Sequence, residues 1–163
     1  MPSLDFLEDF LILLGDFFSG GFSSKKEKFH QIPLDEMIKE SKIVVIGKVL
    51  RIKEPIFYGT AVATIEIEQI IVGNYEDKHI DVTYYPRLTF EARLLLNQRC
   101  IFFIGENNQI VKGYAGKIPI EKEKVEVCYI LGEATSQTLK DFIERIKDSK
   151  SRQEMIFAKP SSQ

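Results

Sequence analysis

From residue 43 to residue 104 the chain alternates apolar and polar residues, with turn formers at intervals, and leaves room for little besides β-strands. Ile43-Val44-Val45-Ile46-Gly47-Lys48-Val49 opens the stretch, Ala61 to Val72 and residues 79–85 continue it, and Arg99-Cys100-Ile101-Phe102-Phe103-Ile104 closes it. β-Branched and aromatic residues dominate each run, and Gly, Asn and Pro separate them. In the second run Ala61, Ala63, Ile65 and Ile67 alternate with Val62, Thr64, Glu66 and Glu68, so one side faces a core and the other is largely polar. The phase then slips, because Ile70 and Val72 carry the apolar positions in place of Gln69 and Ile71. Such a slip inside one long strand predicts a β-bulge, and bulges bend strands as a barrel requires. Ile80, Val82 and Tyr84 repeat the inside pattern in the third run, which Pro86 stops. The fourth run is apolar on both sides, which predicts cover on both faces.

Gly113-Tyr114-Ala115-Gly116 turns the chain into residues 117–121, and a hairpin through Lys122-Glu123 returns along Val125, Val127 and Tyr129. That supplies a fifth strand and room for a sixth. Ahead of the strands, Pro33-Leu34-Asp35-Glu36-Met37-Ile38-Lys39-Glu40-Ser41 reads as a short helix with Pro at its start and acids in its first turn. Behind them, Ser136 suits the N-cap of a helix whose Leu139, Phe142, Ile143 and Ile146 stand at i, i+3, i+4 and i+7. Residues 149–163 read as a polar tail.

Residues 1–22 form a separate pattern. Leu4, Phe6, Leu7, Phe10, Leu11, Leu13, Leu14, Phe17 and Phe18 cover about half of a helical wheel, and Asp5, Glu8, Asp9 and Asp16 lie opposite. The acids and the shortness of the longest apolar run argue against a secretory signal or a membrane span. Carboxylates rather than Lys or Arg on the polar side weaken a membrane-surface role as well. Docking on the domain, or on another protein, is the expectation for so apolar a face. Residues 23–32, rich in Ser and Lys and preceded by Gly20-Gly21, read as a flexible linker.

The chemistry-bearing residues are few. Lys and Arg total 22 against 24 for Asp and Glu, so the formal charge of −2 supplies no overall basic field for a polyphosphate. His30 and His79 have no second candidate ligand nearby in sequence. Glu66 and Glu68 alternate on the outer side of a strand, where a solvated surface explains them. Residues 113–117 bring glycines and a lysine together but lack the spacer and the Ser or Thr of a phosphate loop. Cys100 and Cys128 match no zinc or redox spacing, and strand register decides whether they can join. No catalytic residue, cofactor or metal ligand is expected.

A helix ending in Ser41-Lys42, followed by residues 43–49, the long strand through Gly73-Asn74, Asn97-Gln98-Arg99 to Ile104, and Gly113-Tyr114 to Gly116-Lys117, resembles a class of small bacterial domains with the OB-fold in its netrin-like, tissue-metalloproteinase-inhibitor-like form. The resemblance spans about residues 33–146. It implies a mainly β fold with flanking helices: a five- to six-stranded, OB-fold-like, partly closed barrel over residues 33–148, with an N-terminal amphipathic helix and a C-terminal helix. Domains of this class often look exported, but the chain shows no clear signal or lipobox cysteine, and the compartment stays open. The cysteine with which such inhibitors reach a catalytic zinc is absent, so no site residue carries over. The expected function is non-enzymatic binding, with a protein partner, self or other, reached through the N-terminal helix (Phe10, Phe17) or an outer aromatic face (Phe57, Tyr58, Tyr84, Tyr85). Single-stranded nucleic acid, stacked on those aromatics and guided by Arg87, is the alternative. Glu66, Glu68 and Asp81 on the same faces oppose a phosphate backbone. An enzyme whose groups converge only in three dimensions is the other alternative.

Overall fold

The fold is seen in a computed structural model that describes residues 31–55, 59–86 and 93–158. The helix expected over 1–22 and residues 23–30 of the expected linker lie outside those residues, as do Phe10, Phe17, Phe57, Tyr58 and Arg87, whereas Ile32, the last residue expected in the linker, pairs in a strand with Ile130. Among the described residues the strands are β1 (Ile32–Pro33), β2 (Ile43–Lys53), β3 (Ala61–Val72), β4 (His79–Tyr84), β5 (Arg99–Ile104), β6 (Lys117–Glu121), β7 (Lys124–Glu126), β8 (Ile130–Leu131) and β9 (Ser136–Thr138). Helix α1 is Leu34–Glu40 and α2 is Leu139–Ala158.

Seven strands make one antiparallel sheet in the order β4-β3-β2-β5-β6-β7-β9, and β1 pairs in parallel with β8. Strands β2, β3 and β4 follow one another as neighbours, and β5 returns to lie beside β2, which is Greek-key connectivity. The expected five to six strands become seven because β7 and β9 extend the sheet past β6. The sheet is not closed, and β4 and β9 are its edges.

Bulges bend it where the sequence loses its phase. The β2–β3 register shifts between Val44 and Val45 and between Ile46 and Gly47, so that Ile71 and Glu68 on β3 are skipped. A third shift skips Leu50 on β2. The slip near Gln69 is therefore real, but Ile71 and Val72 are the buried pair at that end, and Ile70 is only partly buried. At Gly47 β2 passes close to β3, and a Cβ there would stand 2.9 Å from the Glu66 carbonyl oxygen.

Two cores cover the two faces. On one, Val44, Ile46, Ile101 and Phe103 pack with Met37 and Ile38 of α1 and Phe142 and Ile146 of α2. On the other, Val45, Val49, Ala63, Ile65, Val82 and Phe102 pack with Leu94 and Ile110. This second core consists almost wholly of sheet residues, so the sheet must curl around it. The doubly apolar β5 is buried on both faces, as its sequence requires.

Helix α1 holds Leu34, Met37 and Ile38 inward, and the Ser41 hydroxyl donates to the Met37 carbonyl at 2.6 Å. The start of α2 corrects the sequence reading: Ser136 lies in edge strand β9, opposite Glu126, and the hydroxyl of Thr138 accepts the Asp141 N–H at 3.1 Å. The tail expected from residue 149 is a helical continuation. Ser149 is fully buried and donates to the Asp35 carboxylate, and Gln153 Nε2 donates to the Asp35 carbonyl at 2.7 Å. The polarity of 149–153 was legible; the partner on α1 was not.

Candidate functional site

Adjacent residues on a strand point to opposite faces, and this divides the expected aromatic pair. Tyr84 is 2% exposed within the inner core, so it offers no surface contact, whereas Tyr85 is 37% exposed. The Tyr84 hydroxyl has no hydrogen-bond partner among the described residues, and burial, with Glu54 as a smaller cause, pushes its pKa up to about 12. The other chemistry-bearing residues are mostly structural. Glu68 accepts from Arg99 Nε at 2.7 Å, and Arg99 also reaches Glu123 at 2.6 Å. Residues Gly113–Gly116 form a 3-10 turn, and Lys117 donates to the Arg93 carbonyl and, at 3.5 Å, to Gln98, tying down the chain that carries Leu94. Burial lowers the Lys117 pKa, and it raises that of the Cys100 thiol beneath to about 12. Cys100 is buried and Cys128 exposed, both as free thiols.

The helices cover the back of β2 and β5 and the Ile71–Val72 end of β3 but, among the described residues, leave the rest of the back of β3 and that of β4 open. Two cross-strand rows run there. Arg51, Thr64 and Asp81 form one; Lys48, Glu66 and His79 form the next. Thr64 donates its hydroxyl proton to Asp81 Oδ1 at 2.7 Å, and His79 Nε2 stands 4.0 Å from Glu66. Tyr75, in the β3–β4 connection, donates to the His79 carbonyl at 3.1 Å. Burial, then Asp77 and Asp81, raise the Tyr75 pKa, so the phenol keeps its proton as a donor. Arg51, Thr64, Tyr75, His79 and Asp81, with Leu50 and Asn108, line an open depression of about 740 Å³.

A second depression, of about 470 Å³, lies beside the segment 105–114. Lys112 at its wall pairs with Glu40 at 3.2 Å and Glu36 at 3.4 Å, and Glu40 is the main cause of its raised pKa. The Lys112–Glu40 ion pair thus forms part of that wall.

The outer face can hold polar and charged groups of a ligand. Among the described residues no three His, Cys, Asp or Glu side chains gather as metal ligands, and no helix is long and apolar enough to cross a membrane. No protein-family model matches the chain, and no curated protein is found similar to it.

Sequence reasoning named Glu66, His79 and Asp81 on this face but missed Arg51, Tyr75 and Asn108, which only bulged register and loop placement bring beside them. It also missed the end of α2. Met155, Ile156 and Phe157, assigned to the tail, expose their side chains on the last helical turn, Phe157 at 80%.

Proposed function

We propose that this chain is a non-catalytic protein-binding domain on an OB-fold-like scaffold, with the outer face of β3 and β4 as its contact surface. An OB-fold is a five-stranded, partly open Greek-key barrel. Strands β2 to β6 have that connectivity, and β2 to β5 share a common core. The observation that carries the reading is the contrast between the two sides of β3 and β4. Inside, side chains fill the curl; outside, a broad depression presents both charge signs, a phenol and an amide. Mixed polar rims of this kind suit protein contacts. Asp81 and Glu66 on the same face oppose nucleic acid, as the phosphates would be repelled where bases would stack. The exposed apolar end of α2, and the apolar residues of 1–22 with Phe10 and Phe17, support further contacts with the same or another protein.

The test is site-directed photocrosslinking from a benzophenone amino acid placed at Glu66 in the full chain in its host cell, with Lys140 on α2 as the control position. A discrete protein adduct from residue 66 and none from residue 140 is expected. Equal labelling from both positions, or none, would refute the reading. A low-salt gel shift with single-stranded oligonucleotide would point to the nucleic-acid alternative.

A further inference from the structure

Strand β4 is an edge, and most of that edge is already taken. In an antiparallel ladder successive residues alternate between turning both peptide groups to the neighbour and turning both away. The Ile67 N–H donates to the Lys78 carbonyl at 2.8 Å, and Ile65 is opposite Ile80, Ala63 opposite Val82. This phase turns the peptide groups of Ile80, Val82 and Tyr84 toward β3 and those of His79, Asp81 and Thr83 to the open side. The Tyr75 hydroxyl covers the His79 carbonyl. The Ile110 N–H covers the Thr83 carbonyl at 3.4 Å, and Thr83 bridges Gln109 in parallel. Between them Asp81 has no backbone partner on the open side among the described residues. The gap is one residue wide.

A residue placed opposite Asp81 would exchange two backbone hydrogen bonds with it and lay its side chain beside the Asp81 carboxylate on the outer face. That carboxylate accepts from Thr64 and has no ion pair among the described residues. Asp77, near the Tyr75 phenol, adds negative charge at the same end of the edge. Arg51 lies two strands away, about 10 Å by the usual strand spacing, and so does not cancel it. Resting on the reading of this surface as a protein contact, we propose that the gap at Asp81 receives an extended basic segment of a partner protein, with a Lys or Arg in register with Asp81. Tyr75 and Asn108 bound the gap, so the pairing is a short clip rather than a full added strand.

The probe is acetyl-Thr-Val-Lys-Val-Thr-amide, titrated into the ¹⁵N-labelled full chain and followed by amide shifts, with affinity on the order of 1 mM expected for so small a contact. The Asp81, Thr83 and Tyr75 amides should move. The same peptide methylated on the lysine backbone nitrogen should fail, and a Glu-for-Lys peptide should bind at least about tenfold more weakly, as like charges then oppose. Asp81→Asn should weaken binding and Asp81→Pro should abolish it, since an outward N–H is one that an edge strand can lose without losing a ladder bond. Indifference to N-methylation, equal binding of the Glu peptide, or no shifts at several times that concentration overturns the proposal; the N-methyl peptide decides it even if the proline variant does not fold. Crosslinking from residue 66 needs no edge pairing, so it judges the wider binding reading separately.

Discussion

Tyr84→Phe is expected to stabilise the protein, against the usual direction for a core substitution. The tyrosine ring packs in the inner core at 2% exposure, and its hydroxyl has no partner among the described residues. Deleting one oxygen leaves the ring contacts in place. An unsatisfied buried polar group costs about 1–3 kcal/mol, whereas loss of a satisfied hydrogen bond would destabilise by about 1 kcal/mol. A gain of about 1–2 kcal/mol follows, or a rise in Tm of about 3–8 °C for a domain between the size classes for which the conversion is known. Titration supplies a second signature. The Tyr84 pKa rises from 10.0 to about 12 on folding, so the folded state keeps a proton that the unfolded chain releases. Stability from that neutral phenol is complete below pH 10 and is lost as pH rises toward 12, at about 1.4 kcal/mol per pH unit. The Cys100 thiol, raised from 9.0 to about 12 by burial, adds a like slope that begins one pH unit lower. Urea unfolding followed by circular dichroism from pH 8 to pH 12, in wild type, Tyr84→Phe, Cys100→Ala and the double variant, separates the two. A loss of 1 kcal/mol or more in Tyr84→Phe at neutral pH would show that the hydroxyl has a partner and refute the reasoning. An unchanged alkaline slope would show that Tyr84 is not the titrating group.

Gly47→Ala should cost about 2–3 kcal/mol, because its Cβ would press on the Ile65 side chain and the Glu66 carbonyl, which the ladder holds in place; a urea midpoint close to wild type would show that β2 and β3 can part. Thr138→Ala should lower stability by about 1 kcal/mol and Ser136→Ala by under about 0.5 kcal/mol, which distinguishes the cap of α2 from the edge strand before it in thermal melts. Phe102→Ala should cost about 3–5 kcal/mol, while Phe157→Ala should leave the melting temperature nearly unchanged, since one ring is fully buried and the other is 80% exposed.

Much of the sheet was legible because its signal is local. The bounds of β3, β5 and β6 follow from runs of β-branched and aromatic residues broken by Gly, Asn and Pro, and α1 from Pro33 and the acids behind it. The β6–β7 turn was readable in position but not in chemistry. Lys122 and Glu123 both adopt positive φ, 51° and 58°, a conformation that a two-residue hairpin demands and that usually selects Asn and Gly. Strand β9 was hidden because Ser136-Gln137-Thr138 has no apolar alternation and pairs by backbone alone with β7. The last turns of α2 were hidden because Ser149, Arg152 and Gln153 look like solvent-facing residues until Asp35 stands opposite them.

The candidate site was less legible than the fold. Thr64 and Asp81, or Arg51 and Asn108, become neighbours only through register, and the bulge at Leu50 shifts that register by one residue in a way that no spacing in the chain reveals. Period-two alternation and turn chemistry, which depend on nearest neighbours, determined by themselves that the chain is β-rich, that β5 lies beneath cover on both sides, and that a bend falls near Gln69. Tertiary structure alone decided that the hydroxyl of Tyr84, a residue the alternation already turns inward, is an orphan among the described residues, that β4 is an edge, and that one peptide unit of it, at Asp81, is left open. Those outcomes depend on which strands meet and in which phase, and contacts between residues far apart in sequence set both.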